Sequence, residues 1–584
     1  MLQTIDWLII AAYFVLSLLV GLYFSRRAGK NLSEFFLGGR AMPWYLAGLS
    51  MVATTFAADT PLAVNELVAK HGIAGNWLWW NMLLGGMLTT FFFARLWRRS
   101  GILTEVELIE FRYGGKPAAL LRGFKAVYLG VFMNCIIIGW VNVALITILR
   151  VFFNIPGSEA LWYVAGAMLI TAFYSALSGL WGVTVTDAVQ FVIAMTGCII
   201  LACMVLDSPE IGGIEGLKNK LPDYCFDFFP VIGDERSAGT MLTLSVASFL
   251  AYLSIWAFSW YPGAEPGGGG YVAQRMMSTR TEKESIYATL FFQMAHYCLR
   301  PWPWIIVGLC TLVLYPDLSD SDKKLGYVMA MKDFLPAGLK GLLLVAFLAA
   351  YMSTIATQLN WGSSYLVNDF YKRFIRPTES FSSEAVAQRH YVNAGRLATF
   401  LSMAIGLYVT TQITTISGVW SFVIECGAGL GLVLILRWYW WRINAWSEIT
   451  ATLTPFVAYA ISKFVLNLEF PYSFFFTIAI TTAAWLFITF ITQPESDETL
   501  SAFYKKVQPQ GCWKPVRIKT GMPASGSLLP LLLCWLFAAL MTYSILFASG
   551  YFIFQESFRA WLWTAAAILF FFMFRLAFRK SGVI

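Results

Sequence analysis

The sequence predicts an all-α polytopic membrane protein, and three observations lead there. Of 584 residues, 58% are hydrophobic and only 13% are charged, about half the charged share of a soluble domain. The apolar residues gather in long continuous runs. A spanning helix needs about 20 such residues, whereas a barrel strand needs about 10 of alternating polarity, so helices fit. Finally, Lys and Arg crowd into alternate loops, as cytoplasmic loops do. Together these exclude a soluble globular enzyme, a disordered chain and a disulfide scaffold.

Roughly 15 spans are expected, near 6–24, 43–69, 77–98, 120–151, 159–178, 183–206, 240–261, 285–315, 338–365, 391–415, 417–442, 447–465, 472–492, 527–550 and 557–578. Asp6 opens the first with no basic residue before it, so no signal peptide is expected. With the N-terminus outside, the inner loops carry Arg26, Arg27, Lys30 and Arg40, the basic residues from Arg95 to Lys125, then Arg275, Arg280 and Lys283, and later Lys372, Arg373 and Arg396. The same side holds Arg437, Arg442, the basic residues from Lys505 to Lys519 and those from Arg575 to Lys580. That pattern places the C-terminus in the cytoplasm and the chain in the plasma (inner) membrane as a multi-pass protein. It also accounts for the net charge of +8 without a nucleic-acid partner. Outer loops are longest at 207–239 and 316–337. The polar stretch 493–526 reads as an inner linker, and 1–584 as a single transmembrane domain. The nine Cys show no CxxC pattern, and three His, His71, His296 and His390, are too dispersed for a metal framework.

Polar residues inside apolar spans carry the functional signal, because a charge at mid-membrane costs about 2.5–3.5 kcal/mol on insertion scales. Asp59, Glu66, Asp187, Arg300 and Glu425 are such residues. The second span runs Leu49-Ser50-Met51-Val52-Ala53-Thr54-Thr55-Phe56-Ala57-Ala58-Asp59-Thr60-Pro61. Pro61 removes an amide hydrogen and frees a carbonyl. In lipid that carbonyl needs a partner, and a bound cation is one. A kinked packing helix with small residues at a close contact is the other reading.

The sixth span opens at Asp187, as a helix-end charge or a guide for a cation. The seventh ends in Trp260-Tyr261-Pro262-Gly263-Ala264-Glu265-Pro266-Gly267-Gly268-Gly269-Gly270, a run no regular helix survives. Two interrupted spans five helices apart point to inverted repeats; a simple helix end followed by a flexible inner loop is the competing reading. In the ninth span Ser353, Thr354 and Thr357 crowd one turn, and their hydroxyls are hard ligands suited to an alkali cation. Hydroxyl back-bonding to helix carbonyls, common in membranes, is the competing reading and for this turn alone the stronger one.

In order and spacing these pieces resemble the sodium:solute symporter family, over roughly residues 5–440. The likeness rests on Phe35-Phe36-Leu37-Gly38-Gly39-Arg40, on Gly179 followed by Thr186-Asp187 and Gln190, on Gln274-Arg275, and on Ala350 with Ser353-Thr354. The resemblance implies a leucine-transporter-type fold of two inverted five-helix repeats, at 43–206 and 240–442. An extra N-terminal helix lies at 5–24, and about four C-terminal helices lie within 447–584. It implies a Na⁺ site formed by the carbonyls of Ala53, Phe56 and Ala350 and the hydroxyls of Ser353 and Thr354. A second Na⁺ would use Asp187, Ser353 and Thr357, with Ala356 standing where one further hydroxyl is expected. Solute would lie near mid-membrane, lined by Asp59, Thr60, Trp79, Trp80, Trp256 and Trp420, although bilayer anchoring or core packing also explains Trp residues.

The function expected is secondary active transport. Inward Na⁺ flux would drive uptake of a small organic solute (sugar, amino acid, sialic acid or carboxylate) by alternating access, in a chain acting as a monomer. The alternative is a membrane solute sensor on a transporter scaffold. A membrane-embedded enzyme is not expected, since the inner loops offer only His390 without an acid–base partner.

Overall fold

A computed structural model describes residues 2–233, 243–320, 322–413, 416–523 and 526–582, with only the backbone for 243, 416–418 and 421. The start of the seventh predicted span (240–242), the end of the tenth (414–415), and parts of the predicted loops and linker at 234–239, 321 and 524–525 lie outside the described residues. Elsewhere helices occupy the predicted spans, and among the described residues nine helices are long and apolar enough to cross a bilayer. The strands described are the two-residue pair Val231–Ile232 and Thr243–Leu244, joined in parallel.

The helix Leu339–Ser364 sits at the centre. Every residue from Leu343 to Ser364 is buried, so its polar residues face protein on all sides and not lipid. Around it pack Thr4–Ala28, Gly115–Phe153, Gly157–Leu206 and Glu384–Thr410. The predicted fifth and sixth spans meet with no loop between them. Gly157–Leu206 is instead two helices joined at Gly179, whose φ of 55° and ψ of −158° belong to a region open essentially to glycine. A Cβ there would lie 2.6 Å from the Phe35 carbonyl oxygen. Gly179→Ala is therefore expected to destabilise the protein by at least about 2 kcal/mol, read as a lowered thermal midpoint in detergent.

Among the described residues, three of the predicted spans unwind over three residues or more. Trp44–Thr54 stops, Thr55–Ala58 unwinds, and Asp59–His71 resumes. The break falls just before Pro61, which sits in the first turn of the second half, where its missing N–H costs little. Val246–Phe258 resumes only at Gly270–Ser278. The glycine-rich run thus lies inside a span. Arg275, counted above with an inner loop, belongs with Gln274 to its buried second half. The predicted span 417–442 is also broken: Ile416–Cys426 and Leu430–Tyr439 flank a turn in which Gly429 takes a φ of 90°. These last two breaks dock on each other. Trp260 N donates to Gly427 O at 3.2 Å, Gly429 N to Phe258 O at 2.7 Å, and Ser259 Oγ to Ile424 O at 2.5 Å. Each break thus satisfies backbone groups that the other leaves open, as a lipid-surrounded bundle requires.

The predicted linker is more ordered than its composition suggests. It contains the helices Asp497–Val507 and Lys514–Thr520, with Phe503, Tyr504 and Trp513 buried. Trp513 Nε1 donates to Trp438 O at 2.8 Å, and the Arg112 guanidinium lies 4.8 Å from the Trp513 ring centroid. The hairpin Leu529–Ile553 and Ser557–Lys580 then returns to the third span, where Trp535 Nε1 bonds Leu84 O and Tyr543 OH bonds Trp80 O, each at 2.8 Å.

Candidate functional site

The unwound stretch after Thr54 frees carbonyls, and the central helix meets them with hydroxyls. Thr354 Oγ1 donates to Thr54 O at 2.9 Å and to Ala350 O at 3.2 Å. Thr54 Oγ1 and Thr357 Oγ1 lie 3.0 Å apart. Ala53 O accepts from Phe56 N at 3.0 Å across the break. The stretch containing Ala53 and Phe56 and the turn containing Ala350, Ser353 and Thr354, more than 290 positions apart in the chain, are therefore in direct contact.

Asp187 joins this cluster from the helix that follows Gly179. It is fully buried. Ser353 Oγ donates to Asp187 Oδ1 at 2.7 Å, and Ser50 Oγ donates to Oδ2. The cation beside it is Arg275, also fully buried, with Nη2 at 3.6 Å from Asp187 Oδ2. The guanidinium is held from several directions. Nη2 donates to Thr357 Oγ1 at 2.7 Å, Nε to Ser50 Oγ at 3.2 Å, and Nη1 to Gln274 Oε1 at 2.7 Å. Gln274 is fixed in turn by Phe36 O and Asn360 Oδ1, both at 2.9 Å. Asp187 and Thr357 thus share a guanidinium, and the helix end reading of Asp187 gives way to a buried ion pair that ties three spans together.

Beside the unwound stretches lies a cavity of about 600 Å³, within the range of pockets that hold small organic ligands. Asp59, Thr60, Trp79 and Trp420 line it. Trp80 and Trp256 lie outside the lining. Trp80 is fully buried against Trp77 and Phe547, and Trp256 packs on Trp535 with the rings 6.1 Å apart. Their period along the helices puts them on faces turned to the C-terminal hairpin, which span-by-span reading does not locate.

Asp59 and Arg300 share the cavity wall without pairing. Among the described residues no basic nitrogen lies within 4.0 Å of the Asp59 carboxylate, which heads the helix Asp59–His71, where the positive end of the helix dipole favours it. Arg300 is spent on the break instead. Its Nη1 donates to Val52 O at 3.3 Å and to Thr55 Oγ1 at 3.0 Å, while Nη2 donates to His296 Nε2 at 3.1 Å. Accepting at Nε2 leaves His296 neutral with its proton on Nδ1, which faces Thr55 Oγ1 at 3.0 Å. Glu265, Gln358, Trp140 and Tyr261 also line the cavity and were not singled out as lining residues from the sequence. A charged residue inside a Pro/Gly run next to an apolar span was the available signal for Glu265.

A model of the sodium:solute symporter family matches residues 35–454. A sodium/glucose cotransporter of Vibrio parahaemolyticus is 23% identical over 525 residues, covering 85% of this chain and 92% of that protein. The solute carrier family 5 member 4B of Mus musculus is 24% identical over 487 residues, covering 75% and 69%. A solved structure of a Na⁺-coupled sialic acid symporter, substrate-bound and outward-open, matches with a TM-score of 0.67 at 19% identity, covering 85% of this chain and 99% of that one. The fold is accordingly of the leucine-transporter type. With so much of the sequence matched and the broken helices in place, the chain belongs to the sodium:solute symporter family.

Proposed function

We propose that this protein couples the entry of Na⁺ to the uptake of a small organic solute by alternating access. The observation that carries the reading is the contact of Thr354 Oγ1 with Thr54 O and Ala350 O, where a hydroxyl-bearing turn closes on an unwound helix. A Na⁺ ion there would take the carbonyls of Ala53, Phe56 and Ala350 and the hydroxyls of Ser353 and Thr354. These are hard oxygens suited to an alkali cation. The ion would tie the broken helix to the central helix. It can shift the equilibrium between outward- and inward-facing states only by binding one of them better. Each charge carried inward down 100 mV adds about 2.3 kcal/mol to the chemical gradient.

One Na⁺ per cycle is the stoichiometry this arrangement favours. A second ion at Asp187 and Thr357 would have to displace the Arg275 guanidinium, which already supplies a positive charge there. For the solute, relatives named for glucose and sialic acid support a molecule of carbohydrate size, as does the cavity volume. The N-terminus faces outside and the C-terminus the cytoplasm in this reading.

Reconstitution in liposomes tests it. An inward Na⁺ gradient should drive uptake of at least one labelled solute from a panel of sugars, amino sugars and amino acids, and an equal K⁺ gradient should not. Uptake that is indifferent to Na⁺, or solute binding with no uptake at all, would contradict it.

A further inference from the structure

The cavity carries more negative charge than its surroundings neutralise. Four acids line it: Asp59, Glu66, Glu265 and Glu425. Glu66 is paired with Lys70 at 2.5 Å, and Glu425 sits 3.6 Å from Lys463 and accepts from Ser473 Oγ at 2.6 Å. Asp59 and Glu265 have no such partner among the described residues. Glu265 is the more exceptional. It is 4% exposed, and neither of its carboxylate oxygens makes a well-aligned hydrogen bond among the described residues, the nearby donors being the backbone N–H groups of Gly263 and of Glu265 itself. It stands on the unwound run between Phe258 and Gly270, so its direction is set by backbone that no helix constrains. The nearby acid Glu105 cannot help, since its carboxylate takes Gly270 N at 2.6 Å and Tyr365 OH at 3.0 Å and lies 3.7 Å from Arg437.

A buried carboxylate with no cation beside it is costly, so the group either holds a proton or is completed by a ligand that brings a positive charge. Two further features point to what that ligand carries. Trp140, Trp420 and Tyr261 line the same cavity as a corner of near-perpendicular rings. Trp140 and Trp420 lie 6.3 Å apart at 71°, and Tyr261 and Trp420 lie 6.3 Å apart at 81°. Aromatic faces arranged around a space attract an ammonium group. The second feature is the want of a free guanidinium. Arg300 gives Nη1 to Val52 and Thr55 and Nη2 to His296, and His296 is neutral, so the guanidinium is largely spent and only its Nε–H stands without a partner among the described residues.

We propose that Glu265, with the Trp140–Trp420–Tyr261 corner, forms a subsite for a protonated amine, and that the transported solute is a carbohydrate-sized amine and not a neutral sugar or a carboxylate. The inference rests on the symport reading and deepens it. Hydroxyl groups alone satisfy the oxygens of Glu265 but leave its charge, whereas an ammonium does both.

The test uses the purified full-length protein in Na⁺ and matched ligand pairs that differ only in charge: glucosamine against glucose, galactosamine against galactose, and choline against its neutral isostere 3,3-dimethylbutan-1-ol. Affinities are read from ligand-induced thermal shifts. At least one amine should bind at least about tenfold more tightly than its neutral partner. That advantage should shrink to near unity in E265Q and fall in W420L, while the Na⁺ concentration for half-maximal stabilisation stays within about twofold in E265Q. The absence of an advantage for every amine overturns the proposal, and so does an advantage that survives unchanged in both variants. Because the pair ratio is read on the unaltered chain, a folding failure in E265Q leaves the substrate class tested and W420L tests the site. Loss of Na⁺ over K⁺ selectivity would strike the symport reading alone, since the pair ratio is measured independently of it.

Discussion

Thr354→Ala is expected to raise the Na⁺ concentration for half-maximal thermal stabilisation by at least about tenfold, the factor that about 1.4 kcal/mol makes. The hydroxyl it removes touches both sides of the proposed site, Thr54 O at 2.9 Å and Ala350 O at 3.2 Å. A site with few ligands, mostly neutral carbonyls, has little to compensate for a missing oxygen. Thr354→Ser keeps the oxygen and should retain near-normal Na⁺ dependence, which separates the loss of a ligand from the loss of a methyl group's packing. Ser353→Ala should also weaken Na⁺ binding, with an added cost in stability because Ser353 Oγ supports Asp187 at 2.7 Å. Unchanged Na⁺ dependence in both alanine variants would remove the central helix from the ion site.

Arg275→Gln is expected to be the most damaging single change in the protein, lowering its stability by about 3–5 kcal/mol, the usual penalty for breaking a buried ion pair from one side. It strands the Asp187 carboxylate, which is fully buried and keeps only the hydroxyls of Ser50 and Ser353. Thr357 Oγ1 and Gln274 Oε1 lose the guanidinium N–H groups they accept from at the same time. Asp187→Asn removes the charge from the other side and should restore part of the loss when combined with Arg275→Gln, because the double variant leaves no buried charge uncompensated. The readout is the thermal midpoint of each variant in detergent. A double variant no more stable than Arg275→Gln alone would mean that the two groups do not act as a pair.

How much of this was legible in the sequence follows from what the bilayer enforces. The spans were legible because lipid demands long apolar runs, and the hydroxyl turn at Ser353–Thr357 because polar groups in such runs are rare. The break in the second span was legible through Pro61, though it lies at Thr55–Ala58, since a proline is tolerated in the first turn of the resumed helix. What composition could not reveal was continuity. A Pro/Gly run looks alike whether it ends a span or interrupts one, so Arg275 read as a loop cation although it lies in the buried half beyond the break. The Gly427–Gly429 interruption was hidden for a related reason. It is a three-residue turn in an otherwise apolar stretch, and its docking on the Phe258–Trp260 segment supplies partners for backbone groups that the turn leaves open. Trp79 and Trp80 are neighbours with opposite fates, one facing the cavity and one the C-terminal hairpin, because adjacent helical positions point about 100° apart.

The most direct test of a Na⁺ ion lodged between the Ala53–Phe56 stretch and the Ala350–Thr354 turn is equilibrium binding of radioactive ²²Na⁺ to the purified protein. One saturable ion per chain, displaced by cold Na⁺ and not by K⁺, and lost over the same concentration range in Thr354→Ala, is the expected result. No saturable binding in the unaltered protein, or equal affinity in the unaltered protein and in both Ser353→Ala and Thr354→Ala, would contradict it.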